Sequence, residues 1–317
     1  MALRQKRHKK QMEAAQNITP KSDSLMSSSQ FGSDVCRTVH SLEQKQLLPS
    51  GQEFAGDCVY FNASNSNGWY FTLGLAHRPN DIINLFFIVK VPGLGTFINS
   101  ELPYCSNVPS QPSTTHYQTK SGFSAHCVEP MKEWRIQFTG HLIRQDQCPE
   151  PKINIIGKDQ VDLNVSQVEA SFNLVWKTYS LALEPWSRAM FKKLKESHQS
   201  HYEQFGFMTG EFKLREEGKE AFESGQIEMV SMRDHTITRF RRWNQLRRYI
   251  MMIYHLEDGT CIHTSLISMP EVVFSHLQFG YVITPEKHKL AADSINLHLV
   301  DIGEDKHFPT QFFYSFR

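Results

Sequence analysis

The chain has 317 residues, enough for two domains, each with a core of its own. Its 34 Lys and Arg against 33 Asp and Glu leave a net charge of +1, which argues against a general binder of nucleic acid or of acidic membranes. Aromatic residues make up 12%, and the 22 Phe recur inside alternating runs, pointing to a β-rich protein.

The basic start, MALRQKRHKKQMEAAQ, lacks the apolar stretch of a secretory signal. No apolar run reaches the roughly 20 residues that span a bilayer, so no transmembrane segment is expected and the expected location is cytoplasmic. Six cysteines (Cys36, Cys58, Cys105, Cys127, Cys148, Cys261) are scattered without a C-x-x-C pair and read as free thiols of a reducing compartment. The sequons at Asn17, Asn62 and Asn164 read as chance matches in that setting. Residues 1–50, with Lys6-Arg7-His8-Lys9-Lys10 and then a Ser-rich run, read as a disordered, solvated tail with little to bury.

From Gly51 short strands with turn punctuation begin. Residues 69–76 and 82–91 flank the turn Arg78-Pro79-Asn80-Asp81 and predict a hairpin. Trp134, Ile136 and Phe138 alternate with polar residues, as do Val161, Leu163 and Val165, and then Phe172, Leu174 and Trp176. The absence of βαβ spacing makes 51–178 an antiparallel sandwich or barrel. Within 179–205 Pro185 suits a first helical turn, and Trp186, Met190 and Leu194 share one face, so this stretch predicts a linking amphipathic helix. His198 and His201 then stand at i, i+3; lacking a third ligand, they read as surface histidines and no metal is expected. Strands resume over 206–317, the second expected domain.

Residues 231–260 hold the densest chemistry: Arg233-Asp234-His235, then Arg241, Arg242 and Trp243, then an apolar run, 249–256, closed by Asp258-Gly259. Asp-Gly between apolar runs predicts a two-residue type I′ hairpin. That register sets Tyr254 opposite His263, on a face read as lumen-lining. A carboxylate beside an imidazole orients the ring and raises its pKa, so Asp234 and His235 are the catalytic candidates. They lie on one strand, where neighbours point to opposite faces, and the competing reading is an Arg–Asp pair locking the strand end. Arg233, Arg241, Trp243, Tyr254 and His263 are the ligand-binding candidates.

The runs EPWSRAMFKKLKESHQSHYEQFGFMTGEF, MRDHTITRFRRW, RRYIMMIYHLEDGT and SHLQFGYVITP, with EPMKEWRIQFTG at 129–140, resemble the β-rich region of the phosphoenolpyruvate synthase-like proteins of animals. The resemblance covers roughly residues 57–316. More distantly, the R-D-H-S-[WF]-G…R-x-W pattern is similar to that of the double lipocalin-like proteins, carotenoid 1,2-hydratases and fungal Diels–Alderases among them. Arg233, Asp234, His235, Arg241 and Trp243 match that pattern and Thr236 stands for its Ser, while Ile237, Thr238 and Arg242 depart from it. The nucleotide-binding phosphotransferase portion of the animal proteins has no counterpart here: there is no phosphate loop and no phosphohistidine segment, so no phosphoryl transfer and no cofactor are expected. The resemblance implies an all-β fold of two lipocalin-like barrel or sandwich domains joined by one helix. The first function expected is non-catalytic binding of a hydrophobic or amphipathic small molecule, without nucleic acid. The alternatives are a regulatory or interaction module related to those phosphotransferases, and an isomerase or hydratase using Asp234 and His235.

Overall fold

The structure, a computed structural model, describes residues 42–48, 51–99, 106–109, 116–145, 167–180, 199–216, 218–238, 248–269, 274–298 and 314–317. Eleven strands come first: β1 (Gly56–Ser64), β2 (Tyr70–Arg78), β3 (Ile82–Val91), β4 (Gly95–Asn99), β5 (Ser106–Pro109), β6 (His116–Gln118), β7 (Phe123–Glu129), β8 (Glu133–Arg144), β9 (Gln167–Thr178), β10 (Gln199–Glu216) and β11 (Glu223–Thr238). Six follow: β12 (Arg248–His255), β13 (Cys261–Met269), β14 (Phe274–Ile283), β15 (Lys289–Ala291), β16 (Ile295–Asn296) and β17 (Ser315–Phe316). They fall into two compact units, β1–β11 in one and β12–β17 in the other.

The first unit is a closed antiparallel barrel. Eight strands run β1-β2-β3-β4-β8-β9-β10-β11, and β11 pairs back onto β1, from Gly56 opposite Thr238 to Ser64 opposite Val230. Chain order is followed around the ring, the up-and-down arrangement of lipocalins. The short β4 spans from one end of β3 to one end of β8, while β5 takes the other end of β3, and β7 with β6 takes the rest of β8.

Period-two alternation drives the closure. Along β8, Trp134, Ile136 and Phe138 are buried between exposed Arg135, Gln137 and Thr139, and β9 buries Phe172, Leu174 and Trp176 in the same way. The inward set fills the interior as one aromatic core. Phe87 lies with its ring centroid 5.4, 4.9 and 5.8 Å from those of Phe71, Phe123 and Phe172. The long β10 bends around the ring at Gly210 (φ +152°), where a Cβ would meet the Asn173 carbonyl oxygen at 2.1 Å.

Three expectations are corrected here. The boundaries drawn at 178/179 and 205/206 fall inside this barrel, because β10 and β11 complete its ring. The linking helix does not hold over 199–205: those residues form the start of β10, paired with β11 from Gln199 opposite Thr238 onwards, and Tyr202 and Phe205 are buried on opposite faces of that strand. Helical spacing over 186–194 was extended too far; residues 181–198 lie outside the described residues, as do Val161, Leu163 and Val165. Residues 42–48 are also corrected: Leu42 and Glu43 are buried, not part of a solvated tail.

The second unit, among the described residues, is an open four-stranded sheet, β12-β13-β14-β15, with the small pair β16-β17, rather than a second barrel. Met252, Leu266, Ile295 and Leu297 form its small core. Its hairpin does not use the two-residue turn. Leu256 N–H donates to the Thr260 carbonyl (2.8 Å) and Gly259 N–H to that of Leu256 (3.0 Å), with only Gly259 in the left-handed region (φ +86°). This three-residue loop shifts the register by one, so Tyr254 faces Ile262 and Ile253 faces His263. Among the described residues no helix is long and apolar enough to cross a membrane.

Candidate functional site

At one end of the barrel the inward positions change from apolar to charged. β11 contributes Arg233 and His235; β10 contributes Tyr202 and Gln204, directly opposite them. Asp57 comes from β1, Tyr117 from β6 and Trp134 from β8. Into this ring of side chains projects Glu43, from the segment preceding β1. Arg233 and Glu43 are each 1% exposed, and His235, Asp57, Tyr117, Tyr202 and Trp134 are fully buried.

Four donors converge on the Glu43 carboxylate. Arg233 Nη2 lies 2.8 and 2.9 Å from its two oxygens, Trp134 Nε1 donates at 2.9 Å and Met131 N–H at 3.2 Å, and the Tyr202 hydroxyl donates to Oε1. Met131 holds a left-handed backbone (φ +61°) in the β7–β8 turn, and its carbonyl accepts from Gln204 Nε2 at 3.0 Å. Both polar groups of that peptide position are thus committed to the site, which offsets the strain of the conformation. The Arg233 guanidinium lies 5.2, 5.1 and 5.5 Å from the ring centroids of Trp134, Trp176 and Tyr202. Its Nε and Nη1, and Trp176 Nε1 beside it, are buried without an acceptor.

A second ion pair continues the network. His235 Nε2 lies 2.6 Å from Asp57 Oδ1, Tyr117 donates to Asp57 Oδ2 at 2.7 Å, and Gln46 N–H donates to the same oxygen at 2.6 Å. His235 Nδ1 lies 2.7 Å from the Tyr202 oxygen. Burial pushes the His235 pKa down, but the carboxylates of Asp57 and Glu43 outweigh it and lift it to about 9. Burial also pushes Glu43 up, yet Arg233, His235 and Tyr202 hold its carboxyl well below the usual carboxylate range. Burial, then the adjacent carboxylates, raise both phenols well above their ordinary value. The geometry suits a Tyr202 hydroxyl that gives its one hydrogen to Glu43 and accepts from an imidazolium that also donates to Asp57. Two cations face two anions, so the buried set carries no net charge. Cys127, whose sulfur lies 3.7 Å from Glu43, is pushed up to about 12 by burial and then by that carboxylate, which makes it an inert thiol.

The sequence relation covers this whole assembly. Residues 22–317 match the profile of the Family of unknown function (DUF8627). The chain belongs to that family. No curated protein matches the sequence. Two solved structures share coarse similarity with this DUF8627 chain. One, from Nitrosomonas europaea and assigned provisionally as AttH, is 8% identical, with a TM-score of 0.49 over 79% of this chain and 75% of its own. The other is CghA with Sch210972, 10% identical, with a TM-score of 0.39 over 83% of this chain and 68% of its own.

The sequence-predicted residues divide in this DUF8627 barrel. Arg233 and His235 meet in the site. Asp234 points to the opposite face of β11, 8% exposed, where Thr236 donates to it at 3.5 Å and His201 Nδ1 is 4.0 Å away. Asp234 and His235 therefore do not form one acid–base pair, and of the two arginines that could pair with Asp234, Arg233 pairs with Glu43 instead, because residues adjacent on a strand alternate sides, while Arg241 lies outside the described residues. His201 is buried rather than a surface histidine, held by Glu203 at 2.9 Å and Thr236 at 2.7 Å. Arg241, Arg242, Trp243 and His198 lie outside the described residues. Tyr254 and His263 belong to the other unit and take opposite faces: His263 is fully buried between the rings of Phe279 and Tyr281, and Tyr254, 39% exposed, stacks near Tyr314. Among the described residues no group of three His, Cys, Asp or Glu side chains is arranged to hold a metal.

Sequence reasoning missed Glu43, Asp57, Tyr117, Tyr202 and Gln204. Tyr202 and Gln204 carry the strand period once 199–205 is read as β, but Glu43 sits in a polar stretch with no periodic signal.

Proposed function

We propose that the barrel is a non-catalytic binding module for a small amphipathic molecule, taken up at its charged end. One observation carries this: Arg233 is sealed beneath three aromatic rings with Nε and Nη1 lacking acceptors, beside Trp176 Nε1 in the same condition. Buried donors without acceptors are costly, and a ligand oxygen placed there would satisfy them. Eight-stranded barrels are wide enough to hold one small ligand. The aromatic core fills the interior beyond Trp134 and Trp176, so entry is at the end that residues 42–48 cover. Native mass spectrometry of the purified protein, followed by titration with fluorescent amphiphiles, tests this. One equivalent bound per chain is the expected result; no uptake of anionic or neutral amphiphiles overturns it.

The packed aromatic interior supports a second reading, a regulatory or interaction module, in line with the resemblance to the phosphotransferase-associated β-rich region. That reading expects no small molecule to co-purify and a protein partner to be captured instead.

A further inference from the structure

We propose that the Arg233 cluster is a receptor for the carboxylate of an apolar monocarboxylic acid, and that Glu43 is its built-in occupant, displaced when such an acid binds. This rests on the reading of the barrel as a binding module and adds the ligand class and the regulation.

The donors all belong to the barrel wall, whereas the acceptor arrives from outside the strand order. Glu43 is separated by 190, 159, 91 and 88 positions from Arg233, Tyr202, Trp134 and Met131. A wall that presents a guanidinium, an indole N–H, a phenol and a backbone N–H to one point has the donor set of a carboxylate site. The occupant fits it incompletely. Both Glu43 oxygens engage the single nitrogen Nη2, end-on, while Nε and Nη1 remain without acceptors. A guanidinium prefers two parallel bonds to a carboxylate, and an untethered acid can approach in that way.

The segment 42–48 buries Leu42 and Glu43 and sets Gln46 N–H on Asp57, while Leu47 is 98% exposed. Exchange of one carboxylate for another keeps the buried charge balanced against Arg233, whereas a neutral ligand would leave that cation uncompensated and a dianion would add charge. The rings of Trp134, Trp176 and Phe61 next to Arg233 call for an apolar body behind the acid group.

The test uses the full chain with Glu43→Ala, which leaves space for a short acid, and with Glu43→Gln, which keeps the shape if the alanine variant does not fold. Thermal melts are run with propionate against chloride at equal ionic strength, and octanoate binding is measured by calorimetry. Propionate is expected to raise the melting midpoint of Glu43→Ala saturably while chloride does not. Octanoate is expected to bind both variants about tenfold or more tightly than the wild type, because the competitor is gone or uncharged. If propionate behaves like chloride in a folded Glu43→Ala, the receptor assignment is overturned, while uptake of other amphiphiles by the wild type would leave the binding-module reading standing. Equal octanoate affinity in wild type and variants overturns the displacement. Should neither octanoate nor any other amphiphile bind while propionate still rescues, the binding-module reading fails and the displacement with it.

Discussion

The two faces of the β10–β11 pair are built from the same kinds of residue and do opposite things with them. Inward, Arg233 and His235 meet partners of opposite charge or a shared proton, Glu43, Asp57, Tyr202 and Tyr117, beside the neutral Gln204. Outward, Glu203 stands directly across from Asp234, two carboxylates facing each other with His201 and Thr236 alongside. The inner face is a pair of ion pairs; the outer face sets two carboxylates opposite one another with His201 beside both, 2.9 Å from Glu203 and 4.0 Å from Asp234. A three-residue run, Arg233-Asp234-His235, thus contributes to two separate environments, and its density in sequence is not density in space.

The comparison can be broken most forcefully on the inner face. Deleting residues 1–50 removes Glu43 and Leu42 together, and the expected loss is about 5 kcal/mol or outright failure to fold, read by denaturant titration. A melting midpoint unchanged within a few degrees would return this segment to a dispensable tail. Arg233→Met keeps much of the volume but strands the Glu43 carboxylate in a buried site, and should cost about 4 kcal/mol.

The next effect is one of pH. His235 has a folded-state pKa raised from 6.5 to about 9, so its contribution is complete below about pH 6.5 and is lost as pH rises through 9. The free energy of unfolding measured by denaturant titration across that window should fall by an amount on the order of 3 kcal/mol in the wild type, and His235→Gln should start lower and show a flatter profile. An acid-side loss instead of an alkaline one would contradict the imidazolium assignment.

On the outer face Asp234→Asn keeps the shape beside Thr236 and His201 and should change stability by no more than about 1 kcal/mol in either direction. A loss as large as that of Arg233→Met would show that Asp234, too, balances a buried cation. The smallest effect belongs to the other unit: Leu256→Ser, at a half-exposed loop position, should stay within about 0.5 kcal/mol.

Much of the barrel wall was legible because its signal is local. The alternation through Trp134, Ile136 and Phe138, and the hairpin of β2 and β3, need only neighbouring residues to be read. The site was legible by half. Arg233 and His235 stood out as charges entering an apolar strand, but their partners are 190 and 178 positions away, where no periodicity marks them. The start of β10 was lost to a competing period: Trp186, Met190 and Leu194 keep a helical spacing, and the strand that follows at Gln199 alternates polar with polar. The hairpin erred by one residue because Asp258-Gly259 suits two turn types, and only the hydrogen bond from Leu256 to Thr260 separates them.

Closure of the ring by β11 on β1 also has a consequence for the order in which the protein can be made. Glu43 and Asp57 leave the ribosome well before their cationic partners, and β1 cannot find its second neighbour until β11 has been synthesised. At about 5–20 residues per second the 190 positions from Glu43 to Arg233 correspond to roughly 10–40 s of translation. Throughout that interval the edge of β1 and two carboxylates destined for the interior remain in water. The nascent chain is therefore expected to acquire its charged interior last, in a step limited by the most distant pairing in the barrel.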